Sequence, residues 1–100
     1  MRMIMNISIP TEPFNTLART GSAGKTIQKI LEAIKPEAAY FTEQNGHRGA
    51  LLIVDMKDAS AIPALAEPWF LSFNADCNFR IAMTPQDLAH SGLDQIAKSL

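Results

Sequence analysis

The first nine residues alternate strictly. Met3, Met5, Ile7 and Ile9 fall on one face of an extended chain, and Arg2, Ile4, Asn6 and Ser8 on the other, the two-residue period of a β-strand. One face is apolar and the other is mixed. Pro10 ends this strand, and Thr11 is placed to cap a helix with Pro13 in its first turn. In the helical stretch that follows, Phe14, Leu17 and Ala18 point roughly 145° away from Ile27, Ile30, Leu31 and Ile34. One straight helix cannot bury both groups against the same sheet. Gly21 and Gly24 lie between them, and glycine costs a helix interior about 1 kcal/mol relative to alanine. The pattern predicts a break at residues 20–24, with Ser22 or Thr20 capping a second, longer helix that Lys35-Pro36 stops.

From Pro36 to Met56 the period returns to that of extended chain. Ala38 to Thr42 and Leu51 to Val54 are strand-forming runs. Asn45-Gly46 between them supplies the two positive-φ positions of a type I′ hairpin turn. Gly49 leaves room for a bulge or a longer loop. The second run is apolar at every position, so both of its faces should be covered. Beyond it, Asp58 or Ser60 is placed to cap a helix whose stripe is Ile62, Leu65, Trp69 and Phe73. Pro68 should kink or split this helix. Asn74 to Asn78 reads as loop, and Phe79 to Met83 as a last alternating strand. Thr84-Pro85-Gln86-Asp87 is a helix start with cap, N1 proline and N3 acid. Ser91-Gly92-Leu93-Asp94 offers another, giving one broken terminal helix with Leu88, Leu93, Ile96 and Leu100 packed inward.

The element order predicts the α+β class. The expected architecture is a ferredoxin-like βαββαβ domain with an extra C-terminal helix, an antiparallel sheet and helices on one face. Right-handed connections should set the first and last strands side by side at its centre.

Composition narrows the function. The chain has 100 residues, 47% hydrophobic and 19% charged, which suits one globular domain across residues 1–100. A core this small gains from self-association. Net charge is −1 with both signs scattered, so nucleic acid is not the expected partner. No apolar run reaches the roughly 20 residues of a membrane span. The single cysteine, Cys77, excludes an internal disulfide and fits a reducing, cytoplasmic setting.

The apparent motifs are weak. Gly21-Ser22-Ala23-Gly24-Lys25-Thr26 mimics a phosphate loop, but the pattern needs glycine where Arg19 stands, and a helical segment intervenes before it. A helix break is the simpler reading. His47 and His90 have no partners at metal-ligand spacing, so no metal and no cofactor are expected. The mixed sheet face holds more. Ile4, Asn6 and Arg80, with Tyr40 or Thr42, project from it, a set too apolar to stay wet and too polar for a plain core. A dimer interface is the expected use, and a pocket oriented by Asn6, Tyr40 and Arg80 is the alternative. Trp69 and Phe70 cannot both point inward, since they differ by 100°. One belongs to the core, and the other to a cleft or interface.

The segments KPEAAYF, RGALLIVDM, IPALAEPWF and NFRIAMTPQDL together resemble a family of proteins of about this length. That family is similar to the dimeric α+β barrel superfamily, in which two ferredoxin-like chains pack sheet against sheet. The resemblance implies a homodimer and a ligand cleft between sheet and helices, with no settled activity. Haem-degrading members use an asparagine on the first strand, a tryptophan on the second helix and a histidine. Asn6 and Trp69 match the first two, but residues 70–89 contain no histidine, so haem degradation is not expected. Two readings stay open. One is a homodimeric domain binding a small organic ligand, with Asn6, Tyr40, Trp69 and Arg80 as candidate ligand-binding residues. The other is a cofactor-free enzyme, monooxygenase- or isomerase-like, acting on a small aromatic or carbonyl compound, in which Arg80 would hold an oxyanion.

Overall fold

In the computed structural model, which describes residues 1–100, four strands form one antiparallel sheet. The strands are β1 (Arg2–Ile9), β2 (Ala38–Gln44), β3 (His47–Asp55) and β4 (Asp76–Ile81), in the spatial order β2-β3-β1-β4. Helices α1 (Thr11–Arg19) and α2 (Ala23–Ile34) separate β1 from β2, and α3 (Ile62–Phe73) separates β3 from β4. Two short helices follow, α4 (Pro85–Ala89) and α5 (Leu93–Lys98). The fold is therefore α+β, as the alternation predicts. β1 and β4 are neighbours as expected, but β4 is an edge strand and β3 shares the centre with β1.

The core is one-sided. Met3, Met5, Ile7 and Ile9 of β1 join Ala50, Leu52 and Val54 of β3, beneath Ile30 of α2 and Leu65, Trp69 and Phe73 of α3. Phe14 and Leu17 of α1 and Ile27, Leu31 and Ile34 of α2 pack against this cluster. The break that reconciles their directions lies at Thr20 to Ser22, with Gly21 at φ 80°. Ser22 occupies the N-cap position of α2, but its hydroxyl turns back to donate to the Leu17 carbonyl. Thr11 does not cap α1. The carboxylate of Glu12, itself extended, receives the Thr16 amide and hydroxyl instead.

Four further expectations change. Gly49 makes no bulge: it lies in regular register opposite Thr42 and Ser8. Pro68 does not split α3, which runs unbroken to Phe73. The carbonyl deprived of a partner belongs to Ala64, an exposed residue, where water can serve it. β4 starts at Asp76 rather than Phe79, because Asp76, Cys77 and Asn78 continue the ladder with Ser8, Ile7 and Asn6. Finally, Leu88, Leu93, Ile96 and Leu100 are all exposed, and no residue from Pro85 onward is buried. The tail does not pack inward.

Candidate functional site

The sheet face away from the helices is uncovered in a single copy, and its register fixes what it presents. Tyr40, Leu51, Asn6 and Asn78 form one row across the four strands. Ala38, Ile53, Ile4 and Arg80 form the next, and Thr42, Gly49, Ser8 and Asp76 a third. The apolar members Ile4, Leu51 and Ile53 are half-buried by their neighbours alone.

Polar groups gather on the β4 side of this face. Asn6, Gln44, Asn78, Phe79 and Arg80 line an open depression of about 470 Å³. Gln44 reaches it from the end of β2 by crossing β3, and its Nε2 donates to Oδ1 of Asn6 at 3.3 Å. Gly49 makes the crossing possible. A Cβ there would sit 2.8 Å from Cγ of Gln44 and 3.2 Å from the carbonyl oxygen of Ile7. Arg80 has no carboxylate within ion-pair distance, whereas Arg2 is taken by Glu37 at 2.9 Å. The depression thus offers one unneutralised guanidinium and three amide side chains, next to an apolar band. Such a set can hold an anionic or carbonyl oxygen while the hydrocarbon part of a ligand lies on Ile4.

The four residues chosen from sequence are not all brought together. Asn6 and Arg80 line the depression. Tyr40 shares their face but stands two strands from Asn6, with its side chain 64% exposed at the β2 edge. Trp69 is on the other side of the sheet. It is 0% exposed, packed against Phe73 at 6.2 Å, and its indole N–H has no hydrogen-bond partner. Of the adjacent aromatics it is Trp69 that enters the core, while Phe70 stays 38% exposed.

Sequence reasoning missed Gln44 and Asn78. The loop expected at residues 74–78 hides Asn78, although it stands two positions from Arg80 on an alternating strand. Gln44 carried no local signal, because its reach depends on the missing side chain at Gly49. Cys77 projects from β4 toward the helix side, and burial, with Asp76 adding to it, pushes its thiol up to about 11. It is no nucleophile at neutral pH. No group of three or more His, Cys, Asp or Glu side chains is arranged to hold a metal ion. No helix is long and apolar enough to cross a membrane. No protein-family model and no curated protein matches the sequence.

Proposed function

We propose that this chain is one half of a ferredoxin-like, dimeric α+β barrel, and that it binds a small organic molecule bearing a carboxylate or polarised carbonyl. The ligand lies on the open sheet face, between Asn6, Gln44, Asn78 and Arg80, and a second copy encloses it. The observation that carries this reading is the clustering of an unpaired Arg80 with three amide side chains beside the apolar centre of the face, Ile4, Leu51 and Ile53. A solvated monomer surface has no use for Ile4, Leu51 and Ile53 in the two rows that carry these groups. The dimer uses the apolar part as contact and the polar part as recognition. The chain works in the cytoplasm, in keeping with its lone thiol.

Calorimetry against a panel of small aromatic and aliphatic carboxylates tests the binding. A ligand with micromolar affinity should lose about ten-fold or more in the Arg80→Ala chain, the scale of one charge-assisted hydrogen bond. Binding that is indifferent to Arg80→Ala and to Asn6→Ala would place the ligand elsewhere. The unneutralised Arg80 also favours a second reading, a cofactor-free enzyme in which the guanidinium stabilises an enolate or other developing oxyanion. Deuterium exchange at the carbon next to the carbonyl of a bound ligand, lost in Arg80→Ala, distinguishes catalysis from binding alone.

A further inference from the structure

Gln44 ends the edge strand β2 in register with His47, but its side chain does not stay in that row. It turns along the open face, passes over Gly49 and reaches β1, where its Nε2 donates to Oδ1 of Asn6 at 3.3 Å. Confining a long, flexible side chain in this way costs rotamer entropy. The bond has a consequence for Asn6. A primary amide is planar, with an acceptor oxygen and a donor nitrogen on opposite branches of its carbon. Oδ1 is turned to Gln44, which comes from the β3 side of β1. Nδ2 is therefore turned to the β4 side, where Asn78 and Arg80 line the depression.

We infer that Gln44 is a positioning residue of the ligand site: by holding Asn6 it gives the β4 side of the depression nitrogen donors, and so selects a carboxylate over the equivalent carboxamide. The inference rests on the ligand site proposed above and not on the second copy. A guanidinium donates and cannot accept, and the fixed Asn6 adds its Nδ2 to Arg80 from the neighbouring strand. A carboxylate offers lone pairs to both. A carboxamide of the same shape brings an amino group of its own, which meets a donor and is left unpaired, and such a mismatch is how polar sites reject a near-isostere. Without Gln44 the Asn6 amide turns freely, either end can meet the ligand, and only the charge preference of Arg80 is left. Gly49 belongs to the same arrangement. A Cβ there would sit 2.8 Å from Cγ of Gln44, closer than real Cβ atoms come, and 3.2 Å from the Ile7 carbonyl oxygen. Ile7 is held in the ladder on both sides, whereas Gln44 ends an edge strand, so the glutamine is what moves. Gly49→Ala evicts Gln44 and leaves every polar group of the site in the chain.

Nuclear magnetic resonance titration of the full chain with benzoate and with benzamide, two ligands of one shape, tests the role of Gln44. The variants are Gln44→Met, which keeps the side-chain length and removes the amide, Gly49→Ala, and the two combined. The parent should favour benzoate about ten-fold or more, the scale of a charge-assisted hydrogen bond. That ratio should fall roughly five-fold in either single variant, the scale of one neutral hydrogen bond. Gly49→Ala should not lower the ratio further once the glutamine is gone, because both changes act through one contact. A purely structural role would weaken both ligands together and leave the ratio unmoved. A ratio unchanged in Gln44→Met, with benzoate binding still lost in Arg80→Ala, overturns the inference and leaves the site standing. A further fall in the combined variant overturns the part assigned to Gly49. Benzoate binding that is indifferent to Arg80→Ala, or absent from the parent at millimolar concentration, overturns the site and the inference with it.

Discussion

Trp69 shows how a single side chain can be well packed and still carry a cost. Its ring meets Phe73 at a tilt of 38°, Phe73 meets Phe14 at 5.1 Å, and Arg48 lies over Phe14 at 4.4 Å from the ring centre. The indole N–H has no acceptor, a burial worth about 1–3 kcal/mol against the fold. Trp69→Phe removes that orphan and part of the volume together, so urea titration should find it within about 1.5 kcal/mol of the parent, while Trp69→Ala costs about 3–5 kcal/mol. A loss in Trp69→Phe well above about 1.5 kcal/mol would show that the lost indole volume outweighs relief of the unpaired N–H. Cys77 gives a second residue-scale expectation. Its folded pKa of about 11 exceeds the ordinary 9.0, so the folded state keeps a proton that the unfolded chain gives up. The stability this thiol contributes is full below pH 9 and is lost as pH rises toward 11. At pH 8 it should carry about a hundred-fold less thiolate than an unperturbed cysteine and react with disulfide reagents correspondingly slowly. Rapid labelling of folded protein at that pH would contradict the burial.

At the scale of elements, local rules held where the backbone itself was at stake. Asn45 and Gly46 take φ 52° and 80° and close the hairpin in two residues. Lys35 ends α2 in the left-handed region just before Pro36. The rules failed where packing outweighed propensity. Pro68 sits inside α3 because Leu65, Ala66, Trp69 and Phe73 anchor the helix on both sides of it. The missing hydrogen bond is therefore tolerated and still costs something. Pro68→Ala should restore it and raise the urea midpoint, by up to about 2 kcal/mol of stability, less than the ~3 kcal/mol proline penalty of an isolated helix because the native backbone has already adapted. A lower midpoint would mean that the proline ring itself contributes packing that outweighs the lost bond.

The whole molecule leaves two surfaces without cover, the open sheet face and the terminal helices α4 and α5. Ile4 is at the centre of the first, flanked in register by Ile53 and Arg80. In the proposed dimer, placing a carboxylate there by Ile4→Glu would force a charge into a largely apolar contact. On the proposed dimer, light scattering should find twice the chain mass for the parent and a monomer or an unfolded chain for this variant. A variant that keeps dimer mass would move the interface off this face. The one-sided core is the physical reason for expecting association: the helices cover one face of the sheet, and a chain of 100 residues gains from burying the other.

Much of this protein is determined by sequence alone. Alternation in residues 1–9, the Asn45-Gly46 turn, the two directions of the first helical stretch and the Thr84–Asp87 cap each specify local backbone, and each is found. They also place Asn6 and Arg80 on the mixed face, since side-chain period follows directly from strand geometry. Only the tertiary structure decided the rest. Asp76 to Asn78 became strand because β1 was there to pair with them. Gln44 entered the site through space vacated at Gly49, five residues on and one strand away. Those outcomes depend on contacts between distant segments, and no local pattern encodes them.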